Sequence, residues 1–591
     1  MGVNVFDKNT LYYGDNLEVL RKYFPPECID LVYLDPPFNS DADYNILFKE
    51  RTGEQSAAQI RAFSDFWHWD KEAKHAYDHI VTQAPSQVSD MIASLYGFLG
   101  KNDLFAYLVM MEIRLLELHR ALKSTGSIFL HCDPTASHYL KVLMDATFNP
   151  MNFRNEIIWR RTGAHGPPRS FGPIHDTILF YSKTDDYFFN VVRKPYMKGH
   201  VESRFSKDET GKSKFTTGGN ILTGSGIRYG ESGKPWHEFD PSAKNRHWAI
   251  PQYLADQMPP DFTKLGVLGK LERLFQQGLV EIKKGSAWPN PVRYLKEADG
   301  QPLSDIWAAQ PYTQGTVYGT DEIIDADVRW LGTTDPERLG YQTQKPLGLL
   351  ERIIRSACPE DGIVLDPFCG CGTTIIASEK LHRRWVGIDI TYLAINLIKG
   401  RLKESFPLSK FKVEGEPKDL DGARALAQQK DRYQFQWWAL NLIENAHPSR
   451  SSTAKPREGK KGADEGVDGW IRFVDKAEGH YEKIVIQVKS GHVGVKDIRE
   501  LRDVANRQKA VIGIFVTLEE PTSEMTKEAK ATDPYVSPLW KHEYPTIQIL
   551  TVDQLLKGVR PDIPSTTVNV YQEAQTIQKA DRTKETKLHN F

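Results

Sequence analysis

A predominantly parallel α/β fold is predicted by three features of this 591-residue chain. The run IDLVYL (29–34) is apolar at nearly every position, which suits a strand covered on both faces rather than one with a wet side. It ends in Asp35-Pro36-Pro37-Phe38, where proline fixes φ and pushes its predecessor out of helix, so the strand stops there. Far downstream the periods alternate again: a helix over 346–357, a strand over 362–366, the glycine turn of LDPFCGCGTT (365–374), a helix over 373–382 and a strand over 384–389. Strand, turn, helix and strand in that order make a βαβ unit, whose strands lie parallel.

The remaining elements follow in chain order. LYYGDNLEVLRKYF gives a short strand, a Gly14-Asp15 turn and an amphipathic helix, which places the Asp35 loop at the carboxyl edge of a sheet, where open α/β sheets bind ligands. A helix is expected over 103–123, a strand over 126–133, a helix from Ser137, and strands over 155–161 and 175–183. From about 184 to 335 the regular pattern breaks into sequence rich in Gly, Pro, Ser, Lys and Arg, with Trp236, Trp248, Trp288 and Trp307 interspersed. Residues 190–300 carry 18 Lys+Arg against 12 Asp+Glu, a balance of +6. Basic residues with interleaved aromatics suit phosphate contact and base stacking. The bland alternative is a solvated basic surface.

Bulk composition excludes several classes. The length calls for three or four domains, and 40% hydrophobic with 26% charged residues describes an ordinary globular protein. Net charge is −1, so a polyanion-binding surface has to be local. Five scattered cysteines (Cys28, Cys132, Cys358, Cys369 and Cys371) make neither a disulfide framework nor a four-ligand zinc site, which points to a reducing cytoplasm. The first ten residues, MGVNVFDKNT, have no signal-peptide pattern, and no apolar stretch approaches membrane length.

Two motifs stand out chemically. Gly370 and Gly372 allow backbone amides to approach a ligand, and Asp389, 17 positions after Gly372, can accept hydrogen bonds from both hydroxyls of a ribose. Singly, the Asp-Pro-Pro turn and the glycine turn are each compatible with ordinary loops of an α/β domain. Together, with the linking elements in order, they specify a site.

The last third reads as a separate α/β unit. YQFQWWALNLIENAH is helical, PSRSSTAKPREGKKG is polar and basic, and GVDGWIRFV with EKIVIQVKS forms a hairpin. Alternation puts Gln487 and Lys489 on one face and Ile486 and Val488 on the other. A helix over 495–508 and a buried strand over 510–518 follow.

GDNLEVL (14–20), LDPPFNS (34–40), GSIFLHCD (126–133), TQKP (343–346), DPFCGCGTT (366–374) and GIDI (387–390) resemble, in this order, the β-class amino DNA methyltransferases, including type III modification subunits. The resemblance spans residues 11 to about 405. It implies a Rossmann-like sheet for S-adenosylmethionine-dependent transfer, circularly permuted so that the catalytic motif precedes the cofactor motif, with a target-recognition region inserted between them. Asp35, Pro36, Pro37 and Phe38 would then be catalytic: Asp35 and the Pro36 carbonyl accept the amine hydrogens, and Phe38 stacks on a base flipped from double-stranded DNA. Asp366, Phe368, Gly370, Gly372 and Thr373 would surround the methionine part of the cofactor, Asp389 the ribose, Asp15 the adenine amine, and Lys345 with Thr343 the methionine carboxylate. Asp15 also reads as a helix N-cap and Lys345 as a solvated lysine. Asp rather than Ser at position 35 favours adenine N6 over cytosine N4.

Asp468 entering one strand and Gln487-Val488-Lys489 on its partner resemble the Mrr-like branch of PD-(D/E)xK nucleases. By that resemblance Asp468 and Gln487 would hold Mg²⁺ and Lys489 would activate water. Glu444 is a further candidate acid. The domain reading is therefore 1–183 and 336–410 for the two methyltransferase halves, 184–335 for target recognition, 411–429 for a linker, 430–560 for a restriction-endonuclease-like α/β domain and 561–591 for a tail. A cytoplasmic, self-contained restriction-modification enzyme follows; its oligomeric state is not legible in the sequence, and a homodimer and a restriction-system partner are both open. Two alternatives remain open: a methyltransferase whose tail only binds DNA or a partner, and one acting on RNA or protein.

Overall fold

The computed structural model describes residues 6–37, 69–163, 169, 171–216, 218–295, 300–332, 334–339, 341, 343–428, 432–448, 467–475 and 481–564. Phe38 and most of the basic stretch PSRSSTAKPREGKKG lie outside the described residues. The chain divides into two compact units: Met1–Arg154, Ile178–Phe188 and Leu331–Phe591 form the first, and Asn155–Thr177 with Phe189–Trp330 the second.

The first unit holds a sheet whose strands are β1 (Asn9–Tyr13), β2 (Ile29–Leu34), β3 (Leu122–Cys132), β4 (His175–Ser182, of which Ile178 onward belongs to this unit), β5 (Ile363–Asp366), β6 (Arg384–Asp389) and β7 (Phe411–Glu414). Their spatial order is β4-β3-β2-β5-β6-β1-β7. β2 lies between β3 and β5, parallel to both, and every one of its six residues is buried. That burial explains the uninterrupted apolar run. Its one charged residue, Asp30, is neutralised by Lys123, whose Nζ donates to both carboxylate oxygens at 2.8 Å, and Asp30 Oδ2 accepts the Ile363 N–H at 2.9 Å.

Helices α1 (Asn16–Tyr23), α2 (Asp103–Ala121), α3 (Leu347–Ala357), α4 (Thr373–Lys380) and α5 (Tyr392–Ser405) accompany these strands. The expected β5-turn-α4-β6 unit is present, with β5 parallel to β6 through Ile363↔Arg384 to Asp366↔Gly387. Two helices not singled out from the sequence, Lys71–Gln83 and Ser86–Leu99, pack through Ala76, Ile80, Val88 and Ile92 into the same core.

The C-terminal part adds α6 (Arg432–Asn441) and a five-stranded sheet: β8 (His447–Pro448), β9 (Gly469–Val474), β10 (Tyr481–Lys489), β11 (Ile512–Thr517) and β12 (Ile547–Thr551), in that spatial order. The β9–β10 hairpin is antiparallel, and β10, β11 and β12 run parallel.

The second unit corrects one expectation. Trp236, Trp248 and Trp307 are buried, and Trp288 packs against the core formed by Leu222, Trp236, Phe239, Trp248, Leu254, Phe262, Leu271, Leu274 and Val280. The indole N–H of Trp248 donates to the Lys234 carbonyl at 2.9 Å and that of Trp307 to the Ser304 carbonyl at 2.7 Å. These rings build the unit's interior rather than a stacking surface, because a segment with so little regular secondary structure needs large side chains to bury enough area.

Candidate functional site

The two signature loops meet because their strands are neighbours. β2 pairs with β5 through Leu31↔Val364 and Val32↔Leu365, so the Asp35 loop and the Asp366 turn leave the same carboxyl edge side by side. The decisive contact is between Lys345 Nζ and Asp35 Oδ2, 2.5 Å apart across 310 residues of sequence. Lys345 also lies 3.5 Å from the Thr343 carbonyl oxygen. Its ammonium is thus engaged on the Asp35 carboxylate, a partner that the sequence did not indicate.

Around the glycine turn the backbone is shaped for close approach. Gly370 and Gly372 have φ of 48° and 78°, values that favour glycine. A Cβ on Gly372 would lie 2.5 Å from Ile398 Cγ1, and one on Gly370 would lie 3.3 Å from the Tyr341 hydroxyl. Thr373 starts α4 and is buried, while Phe368 packs partly buried against the core. Asp366 Oδ1 accepts the Phe368 N–H at 3.0 Å. Burial pushes the Asp366 carboxyl up to about 7, opposed by a hydrogen bond from Thr374 and the Phe368 amide and reinforced by the charges of Asp35 and Asp389.

Asp389, at the end of β6, closes the turn. Its Oδ2 accepts the Gly370 N–H at 2.9 Å, and its Oδ1 accepts the Thr391 N–H and hydroxyl at 2.9 and 2.8 Å. Burial raises its carboxyl to about 6 against those hydrogen bonds. Tyr341, fully buried between the loops, is driven well above its ordinary range, first by burial and then by Asp389, Cys371, Cys369 and Asp35.

The GDN segment supplies the third wall. Asp15 N-caps α1 through Leu17 N–H (2.9 Å) and Glu18 N–H (3.2 Å) on Oδ1, while its Oδ2 binds Arg114 Nη2 at 2.9 Å. Arg114 Nε donates to Asn16 Oδ1 at 2.6 Å, and Asn16 Nδ2 donates to the Pro367 carbonyl at 2.9 Å. Gly14 N–H reaches the Asp389 carbonyl at 3.0 Å. Arg114, Asn16 and Tyr341 were missed in the sequence. Of the three, Asn16 lies within the GDNLEVL motif.

These features fit a nucleoside carrying a charged amino-acid tail: two buried carboxylates, a turn whose glycine positions a side chain would fill, and Asp35 adjoining them. Residues 29–400 match the family model described as DNA methylase. That is well over half of the chain.

The chain belongs to the DNA methylase family. It is 25% identical over 398 residues to the type II methyltransferase M.EcaI of Enterobacter cloacae, covering 66% of this chain and 69% of that protein. It is likewise 25% identical over 384 residues to the StyLTI Mod subunit, a type III restriction-modification enzyme of Salmonella typhimurium, covering 63% of this chain and 50% of that protein. The methylase therefore spans about half the length of that Mod subunit. A solved structure of M1.HpyAVI with SAM matches 66% of this chain and 98% of its own at 13% identity, with a TM-score of 0.27. That likeness is too slight to carry weight.

Residues 455–557 of the methylase match a second model, NACHT-associated inactive restriction endonuclease 1. The C-terminal part is thus similar to an inactive restriction-endonuclease-like family, which is not clearly the Mrr-like nuclease branch. Asp468 lies beside β10: its N–H donates to the Ile486 carbonyl at 2.9 Å and its Oδ2 accepts the Val488 N–H at 2.7 Å. Gln487 is 2% exposed and its Oε1 has no hydrogen-bond partner among the described residues. Lys489 is half-buried at the end of the strand. Glu444 does not join them; it is exposed and lies 3.8 Å from Lys403 on α5. Among the described residues no group of three His, Cys, Asp or Glu side chains could hold a metal ion. Asp468 and Gln487 thus offer one carboxylate and one amide oxygen, with no further acid beside them among the described residues.

No helix among the described residues is long and apolar enough to cross a membrane.

Proposed function

We propose that this methylase transfers a methyl group from S-adenosylmethionine to the N6 amine of an adenine turned out of double-stranded DNA, as the modification activity of a restriction-modification system. The observation that carries this reading is the placement of Asp35 beside the Asp366–Asp389 turn, with Lys345 fastening it there. The adenine amine is a weak nucleophile because its lone pair is delocalised into the ring. Asp35 and the Pro36 carbonyl accept its two hydrogens and so favour a pyramidal nitrogen whose lone pair points in line at the donor. The bound cofactor supplies an electrophilic methyl group on a sulfonium. Asp389 would hold its ribose hydroxyls, and Asp366 with the glycine turn would hold the amino-acid tail.

Asp at position 35 supports adenine, and the relatives named as type II and type III modification enzymes support the restriction-modification setting. The order of motifs, Asp-Pro-Pro-Phe before the glycine turn, is read as the permuted arrangement of the β class. The C-terminal domain is read as a non-cutting module, because the model it matches describes an inactive restriction endonuclease and Glu444 does not join Asp468 and Gln487.

Labelled methyl transfer to duplex DNA, RNA and protein tests the main reading, and transfer confined to RNA or protein refutes it. Sequencing modified DNA from expressing cells identifies the base. Incubating duplex DNA with Mg²⁺ tests the module: cleavage by the wild-type chain that disappears in an Asp468→Asn/Lys489→Ala double variant restores the nuclease reading.

A further inference from the structure

We propose that Gln434, from the C-terminal restriction-endonuclease-like domain, is a positioning residue of the cofactor site, so that this domain is a working part of methyl-donor binding. The inference rests on the reading that Asp389 holds the cofactor ribose. The Asp389 carboxylate takes its orientation from Thr391, whose N–H and hydroxyl both donate to Oδ1. Whatever fixes Thr391 therefore helps to fix that carboxylate, beside the Gly370 N–H on Oδ2.

Thr391 is the N-cap of α5, and its Oγ1 also accepts the Ala394 N–H at 3.3 Å. The first N–H groups of a helix have no acceptor within it and need one from outside. For Tyr392 that acceptor is Gln434 Oε1, at 2.9 Å, on a side chain only 5% exposed. One turn further on, Asn396 Nδ2 donates to the Trp437 carbonyl at 3.1 Å. Helix α5 therefore begins its course already tied to α6 of the other domain.

The neighbouring ring extends the same tie. Tyr392 is fully buried in a core shared with Phe435, Trp438, Ile471 and Phe473, all from the C-terminal domain. It stacks on Tyr13 with ring centroids 3.8 Å apart and 25° between planes. Tyr13 ends β1, next to Gly14, whose N–H is held by the Asp389 carbonyl. Both strand ends that flank the Asp389 carboxylate are thus seated on the C-terminal core.

Removing the Gln434 acceptor leaves a buried N–H unsatisfied and frees the start of α5, so cofactor affinity falls while DNA affinity does not. Coupling of this kind is reciprocal: a bound cofactor must also stabilise the α5–α6 contact.

The test uses the full chain and isothermal titration with S-adenosylhomocysteine. Gln434→Leu is expected to weaken binding about tenfold, with duplex DNA affinity within about twofold. Gln548→Leu is the control, since Gln548 accepts the Asp562 N–H at 2.8 Å elsewhere in the same domain. Unchanged affinity in Gln434→Leu, or an equal loss in Gln548→Leu, overturns the proposal. A fold-independent check uses the wild-type chain: S-adenosylhomocysteine should slow amide hydrogen exchange within 432–441, and no slowing overturns the coupling. Wild-type protein that binds no S-adenosylhomocysteine sinks the cofactor reading itself as well.

Discussion

Cofactor affinity should climb steeply with pH, because the empty site holds two carboxyls that burial keeps partly protonated. Asp366 lies at about 7 and Asp389 at about 6. If Asp389 must be ionised to accept both ribose hydroxyls and Asp366 to meet the ammonium of the amino-acid tail, only the doubly ionised fraction binds, and apparent affinity scales with that fraction. From those two values the fraction is below about 1% at pH 5.5 and about 90% at pH 8. Affinity for S-adenosylhomocysteine should therefore rise about a hundredfold across that range, close to 3 kcal/mol. At pH 6.5 binding should release about one proton, read from titrations in buffers of different ionisation enthalpy. Stability of the cofactor-free protein runs the other way. An unfolded chain with ordinary carboxyls holds fewer protons than the folded one between about pH 4 and 7, so these two groups destabilise the fold progressively as pH rises through that window. A flat affinity profile from pH 5.5 to 8, with no proton released, would refute the reasoning. So would an Asp366→Asn variant that kept the full slope.

Three further outcomes are expected. Asp35→Asn should cut methyl transfer by about a hundred- to a thousandfold while leaving S-adenosylhomocysteine affinity within about threefold, and more than a tenth of wild-type transfer would remove Asp35 from the chemistry. Gly372→Ala forces a side chain at φ 78° against Ile398 Cγ1 at 2.5 Å; a cost of about 1–3 kcal/mol in urea unfolding is expected, with weakened cofactor binding. Glu112 is fully buried, its Oε1 accepting the Thr147 hydroxyl at 2.6 Å and its Oε2 without a partner among the described residues, and burial raises its carboxyl to about 8. Since the unfolded chain ionises this carboxyl near 4.5 and the folded one only near 8, wild-type melting temperature should fall between about pH 4.5 and 8, and Glu112→Gln should flatten that fall, a difference read by thermal scanning.

Much of the sheet was legible because its strands are buried on both sides. IDLVYL and RWVGID are strands with the bounds expected, since nothing in them but Asp30 and the ends departs from apolar character. The two loops were legible because proline and glycine dictate backbone shape locally. What sequence could not show is long-range partnership. Lys345 reads as solvated until the pairing of β2 with β5 brings Asp35 to it, and Asp15, an N-cap as its position suggested, also meets Arg114 from a helix about a hundred residues on. Trp236 and Trp248 misled for the same reason: composition cannot say which side of a small core an indole faces.

The bond from Ile363 to Asp30 spans 333 residues, and this has a consequence during synthesis. A ribosome adding roughly 5–20 residues per second exposes the apolar edge of β2 for tens of seconds before β5 emerges to cover it. Nascent chains should therefore lean on chaperones, and translation stalls inside the intervening segment should yield aggregates rather than soluble halves.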